Sequence, residues 1–191
     1  MYEIDKNILE WINHNRLKPL DHFFIFITSS AAFIAIAIAL LVLMYGFIKK
    51  TKFLKFRKYQ VAFAFTINAI IINILKYTIN RQRPFEVDKY IEKLTTGGSP
   101  SFPSGHTGDA MVVAISMSLL FYKQKWLLAL IWLWAIAVAY SRIVLGVHYP
   151  SDILGSIVVS TIVALVTHHI FNKLKTNKLK TSDNNKLVRK N

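Results

Sequence analysis

Five apolar runs divide this chain: Phe23–Ile48, Tyr59–Leu75, Thr107–Tyr122, Trp126–Val147 and Ile153–Phe171. The first holds 26 residues without a charge. At about 1.5 Å of rise per residue, a helix that long exceeds a hydrocarbon core of roughly 30 Å. The other runs are shorter or interrupted by polar residues. Their close spacing, the Trp and Tyr near their ends and the lysines bounding their loops favour membrane spans over buried helices of a water-soluble protein. The pattern predicts an all-α integral membrane bundle of about five transmembrane helices, with residues 21–172 forming one embedded domain. A cleaved leader is disfavoured, because the first run is too long and its preface is acidic and polar rather than basic.

The flanks read differently. Within residues 1–20, Ile4, Ile8, Leu9, Trp11 and Ile12 recur at roughly helical spacing, and Asp5, Lys6, Glu10 and Asn13 supply a polar side. That pattern predicts an interfacial amphipathic helix ending before Pro19. Residues 173–191 are rich in Lys and Asn and are expected to form a disordered basic tail. The connection Phe85–Phe102 contains Gly97-Gly98-Ser99-Pro100, which predicts a flexible loop lying over a site as a lid.

Charge changes the picture in one respect. The segment Lys49–Lys58 carries six Lys or Arg, Lys123–Lys125 carries two and the stretch from Asn172 carries seven, so these hold 15 of the 24 basic residues and one acid, Asp183. Short basic loops stay on the cytoplasmic side. Five spans put all three segments on that side, with the C-terminus inside and the loops Ile79–His106 and Gly146–Asp152 facing the periplasm or exterior of a multi-pass plasma (inner) membrane protein. The formal charge of +14 then needs no nucleic acid, since anionic lipid headgroups are the nearer partner. The absence of cysteine excludes disulfides and thiolate metal sites.

The polar residues that interrupt the runs are the candidates for chemistry, because ionisable groups inside a membrane are costly. Lys76 and Arg83 stand seven apart, close to two helical turns, which predicts that both cations project from one helix face until Pro84 ends it. Taken alone, they read equally as cations snorkelling to headgroups. Pro103-Ser104-Gly105-His106 precedes an apolar run, so unpaired amides at a helix N-terminus, the close approach allowed by Gly105 and the Ser104 hydroxyl offer an anion site. His106 stands at its mouth, placed to protonate a departing oxygen; the plain alternative is a helix cap with a solvated imidazole. Asp109 is expected to complement the helix dipole or to pair with Lys76 or Arg81.

Arg142, His148 and Asp152 make the sharpest group. An imidazole attacks phosphorus well when a carboxylate holds its other nitrogen and stabilises its developing charge, and Asp152 lies four residues beyond His148. Arg142 supplies a planar fork for phosphate oxygens. His14, His22, His168 and His169 carry no such company. No metal-ligand spacing is persuasive, so the chemistry is expected to need neither metal nor cofactor.

Lys76 with Arg83-Pro84, Pro103–His106, and Ser141-Arg142 with His148 and Asp152 match all three signatures of the type 2 phosphatidic acid phosphatase superfamily, which the chain resembles over roughly residues 20–172. These are membrane lipid phosphatases related in their sites to vanadium haloperoxidases. The resemblance implies a helical bundle in which His148 is the nucleophile and forms a phosphohistidine, Asp152 orients it, and His106 is the general acid and then activates water. It also implies that Lys76, Arg83, Ser104, Gly105 and Arg142 bind the phosphate. Among members of this length, the chain is most similar to small bacterial undecaprenyl-diphosphate phosphatases. The expected partner is therefore a lipid phosphate or diphosphate within the membrane. Phosphatidylglycerophosphate, phosphatidic acid and lipid A phosphatases, a lipid phosphotransferase and a non-catalytic lipid binder are the competing readings. Nothing in the sequence sets the oligomeric state.

Overall fold

The structure, a computed structural model, describes residues 2–49 and 57–188. Most of the basic segment 49–58 therefore lies outside the described residues. Every regular element among the described residues is helical: α1 Tyr2–His14, a single 3-10 turn at Lys18–Leu20, α2 Asp21–Ser29, α3 Ala31–Lys49, α4 Gln60–Ile79, α5 Pro84–Val87, α6 Gly105–Leu120, α7 Lys125–Val144 and α8 Pro150–Val188.

Helix α6 is the axis of the bundle. It packs against α3, α4, α7 and α8, and Val112, Val113 and Ala114 are wholly buried there. Gly108 lets α4 come close, since a Cβ at that position would stand 2.0 Å from Ile72 Cδ1. Polar side chains tie the same seam. Ser160 Oγ on α8 donates to Asn68 Oδ1 on α4 at 3.1 Å and lies 3.1 Å from the Gly108 carbonyl on α6. Gln60 meets His168 further along at 3.2 Å. Hydrogen bonds of this kind join helices where lipid offers no hydrophobic drive for association.

Four segments are long and apolar enough to cross a membrane: Ala31–Lys49, Gln60–Val87, Lys125–Val144 and Pro150–Leu174. The fifth expected span is present as α6, but with 16 residues it falls short of that length. Its neighbours, rather than its own composition, shield it from lipid.

The first apolar run is not one continuous helix. It breaks at Ser30, whose hydroxyl donates back to the Ile27 carbonyl at 3.1 Å, an alternative to the helical ladder. The halves then serve different neighbours, α2 lying along α7 and α3 along α6 and α4.

Helix α1 crosses the end of the bundle. Asn13 Nδ2 donates to the Val144 and Glu92 carbonyls at 2.9 and 3.1 Å, and Leu9 is fully buried. Its polar side is divided: Asp5 and Asn13 are buried against the bundle, whereas Lys6 and Glu10 pair at a partly exposed position, and Ile4, Ile8 and Trp11 are exposed. Buried carbonyls and cations supply the partners that draw Asp5 and Asn13 inward. At the other terminus, α8 continues to Val188, into the stretch expected to be disordered, where no Gly or Pro stops it.

Candidate active site

Local features at one end of the bundle assemble the site. Helix α4 ends at Ile79, and Asn80 follows in the left-handed region (φ 48°), its N–H bonded to the Lys76 carbonyl at 2.9 Å. Arg83 is therefore not on the helical face that carries Lys76. It lies in the extended connection at the start of α5, where its own N–H donates to Glu86 Oε2 at 2.9 Å. The two cations converge through this turn rather than through helical periodicity.

Helix α7 stops at Val144, and Gly146 adopts a positive φ of 70° with no room for a side chain: a Cβ there would stand 2.5 Å from the Glu92 carbonyl. The N–H groups of Val147 and His148 both return to the Arg142 carbonyl at 3.2 Å. The end of α7 thus sets the placement of His148. Pro150 then opens α8, which carries Asp152 in its first turn.

Lys76, Arg83, Arg142, Gly105, His106 and His148 line one cavity of about 320 Å³, together with Asp109 and the loop residues 96–99. The three cations are nearly inaccessible, at 6%, 4% and 2% exposure respectively. Among the described residues, Asp109 is the one carboxylate in that lining. Buried like charges at close range repel strongly, and an anion in the cavity offsets that cost.

The loop expected as a cover does lie over the cavity. Its carbonyls occupy the cations, with Lys76 Nζ donating to the Pro100 carbonyl and Arg83 Nε to the Ser99 carbonyl, each at 2.7 Å. Gly97 is required there, because a Cβ would stand 2.7 Å from Arg83 Nη1. Arg142 Nη1 donates to Thr28 Oγ1 at 2.7 Å, and its Nε has no partner among the described residues.

His148 has its Nε2 3.5 Å from Arg83 Nη1 and its Nδ1 3.4 Å from Asp152 Oδ2. The second distance is long for a charge-assisted bond because the same oxygen already accepts from Ser101 Oγ at 2.5 Å and from the Tyr149 N–H at 2.9 Å. Bonds of this kind tighten in the reacting complex. Burial, reinforced by Arg142 and Arg83, pushes the His148 imidazole down to about 3 against the opposing pull of Asp152. The ring is therefore neutral at physiological pH, the form that attacks an electrophile.

Two predicted residues stand behind the cavity rather than in its lining. Asp152 backs His148, and Ser104, the N-cap of α6, is buried with its hydroxyl accepting from Thr107 Oγ1 at 3.0 Å. Asp109 falls beyond the first turn of α6, so it does not complement the helix dipole as expected. It also pairs with neither Lys76, held by the loop, nor Arg81, which is held by Asp5 and Asp152. Four residues in the surroundings of the site escaped the motif reading: Thr28, Ser101, Arg81 in its bond to Asp152, and Asp5. Arg81 and Ser101 stand beside motifs, one as an extra cation inside the first and the other just before Pro103; Thr28 and Asp5 are remote in sequence and chemically ordinary. Among the described residues, no three His, Cys, Asp or Glu side chains stand together as a metal site.

Residues 57–176 match the sequence family described as the PAP2 superfamily, a stretch that contains all three motifs. The chain belongs to the PAP2 superfamily. It is 32% identical over 167 residues to undecaprenyl-diphosphatase BcrC of Bacillus subtilis, covering 86% of this chain and 81% of that one. It is 31% identical to the lipid A 4'-phosphatase of Bacteroides thetaiotaomicron, over 61% of this chain and 55% of that protein. The fold of this PAP2 protein is also that of a transmembrane PAP2 type phosphatidylglycerolphosphate phosphatase from Bacillus subtilis, with a TM-score of 0.73 at 20% identity, covering 90% and 86% of the two chains. The apolar helices and these relatives make it a membrane protein.

Proposed function

We propose that this PAP2 protein is a lipid phosphatase that converts undecaprenyl diphosphate to undecaprenyl phosphate through a phosphohistidine at His148. The observation that carries the reading is that His106 and His148 line a single cavity with three buried cations. Binding an anion needs cations and amides; two imidazoles, one of them backed by a carboxylate, are needed only if a bond to phosphorus is made and broken. The undecaprenyl-diphosphatase relative, which matches along most of the chain, supports the choice of lipid. Lipid A and phosphatidylglycerophosphate are the alternative substrates that the other similarities favour.

In this mechanism Lys76, Arg83, Arg142 and the amides at the start of α6, opened by Gly105 behind the Ser104 cap, hold the terminal phosphate. His148 Nε2 attacks its phosphorus, the bond to the bridging oxygen breaks and His106 gives that oxygen its proton. Asp152 stabilises the positive charge left on the phosphorylated ring. Water activated by His106 then attacks phosphorus, releasing inorganic phosphate and restoring both imidazoles. Three cations supply the charge stabilisation that a metal gives elsewhere, so turnover is expected to persist in excess chelator.

Lys123 and Lys125 stand between the end of α6 and the start of α7, opposite the ends that carry Gly105 and Arg142, which supports a cytoplasmic position for that basic turn and an outward-facing site. Exposed Ile4, Ile8 and Trp11 on one side of α1 support residues 1–20 as an interfacial element, with 21–172 as the embedded domain and 173–191 as the basic tail. The test is release of phosphate from undecaprenyl diphosphate by the purified protein with chelator present, beside lipid A and phosphatidylglycerophosphate. His148→Ala should abolish both release and the trapped phosphoenzyme. Full turnover by that variant would refute the mechanism.

A further inference from the structure

Asp152 has two carboxylate oxygens, and the proposed mechanism uses only one. Oδ2 faces His148, whereas Oδ1 accepts from Arg81 Nη1 at 2.6 Å. The same guanidinium donates through Nη2 to Asp5 Oδ2 at 2.7 Å, and its Nη1 also reaches Ser151 Oγ at 2.6 Å. Asp5 is fastened in turn, accepting from the Ser151 N–H at 2.8 Å and from the Ser151 hydroxyl. The Tyr149 ring lies 4.0 Å from Arg81 Cζ. Asp5 and Asp152 are 6% and 0% exposed, so both carboxylates are shielded from water, while Arg81 between them is 23% exposed.

We propose that Arg81 and Asp5 are positioning residues for this site, Arg81 fixing the far oxygen of Asp152 and Asp5 cancelling the charge that Arg81 brings. The proposal rests on the reading of His148 as nucleophile. A cation bonded to Asp152 orients the carboxylate but also weakens its ability to stabilise positive charge on His148, because the two cations compete for one anion. With Asp5 opposite, Asp5–Arg81–Asp152 carries a net charge of −1, the same as Asp152 alone, while keeping the orientation. Helix α1 thereby contributes to the chemistry through Asp5 although it touches no reacting atom.

The test uses the purified full chain with farnesyl diphosphate as probe, measuring kcat and KM from phosphate release and the amount of trapped phosphoenzyme. Asp5→Asn leaves Arg81 uncompensated, and kcat should fall about tenfold with KM within about twofold. Removing both charges in Asp5→Asn/Arg81→Gln should turn over at least about threefold faster than Asp5→Asn alone. A merely structural latch predicts the reverse, with the double variant no faster than the worse single one. Unchanged kcat in Asp5→Asn, or no gain in the double variant, overturns the proposal. If Asp5→Asn does not fold, Arg81→Lys carries the test, since one amine cannot replace the fork: kcat should drop severalfold, and unchanged kcat overturns the proposal. His148→Ala separates the two possible failures. If it still releases phosphate, the underlying mechanism has failed; if it is inactive while Asp5→Asn is unimpaired, only the positioning chain has.

Discussion

Helices α3 and α6 show opposite ways of living in a bilayer. Helix α3 is nineteen residues with a single charge at its end, yet it is peripheral: Phe33, Leu41 and Ile48 are 77%, 63% and 73% exposed. Helix α6 is shorter, opens on Gly105 and His106 and carries Asp109, yet it is in contact with α3, α4, α7 and α8. Apolarity along the chain therefore marks contact with lipid, not centrality. A helix enclosed by others is relieved of the need to be apolar all round, and that relief lets small and polar residues gather where the cavity forms.

The contrast can be broken or sharpened by substitution. Asp152→Asn, at the centre, keeps the shape of the side chain but removes the charge that steadies His148, so kcat should fall about 10²- to 10⁴-fold while phosphate binding persists; steady-state kinetics would show it. Gly108→Val places carbon where Ile72 Cδ1 would stand 2.0 Å from the new Cβ. Overpacking of this kind costs about 1–3 kcal/mol, visible as a lowered thermal midpoint in detergent.

The buried imidazole gives a pH-dependent effect. Folded His148 takes up a proton only near 3, whereas an unfolded imidazole takes one near 6.5, so between those values the unfolded state binds the extra proton. Stability from this group is complete above about 6.5 and is lost as pH falls toward 3, by up to about 1.4 kcal/mol per pH unit. Thermal midpoints between pH 7 and 4.5 should fall more steeply in the wild type than in His148→Asn; parallel curves would contradict the buried, neutral ring. The smallest effect belongs to the periphery. Phe33→Leu on α3 should move stability by less than about 0.5 kcal/mol and leave phosphate release intact. A large loss there would erase the distinction between the two helices.

Much of the cavity lining was legible along the chain. Lys76, Arg83, Gly105, His106, Arg142 and His148 reach one space, as three motifs at the ends of apolar runs predict. What was misread was misread for local reasons. The spacing of Lys76 and Arg83 fits a helix face, but a left-handed Asn80 ends the helix between them, and no hydropathy pattern reports a single positive φ. The run Phe23–Ile48 is uniformly apolar, so nothing in it marks the break at Ser30, which follows from α2 and α3 packing on different neighbours. The amphipathic pattern of α1 does not show which of its polar residues turn inward; Asp5 and Asn13 do, because they find partners in the bundle.

The sequence by itself determined the all-helical class, the apolar runs and the three motifs that place this chain among the PAP2 proteins, because helical periodicity and motif spacing are properties of neighbouring residues. Only the tertiary structure decided which groups hold those motifs in place. Thr28 reaches Arg142 across 114 positions, Asp5 meets Arg81 across 76 and Ser151 across 146, and Ser101 binds Asp152 across 51. Contacts so remote leave no periodic trace in the sequence; they exist because packing α1, α2 and the loop before α6 onto one end of the bundle closes those distances.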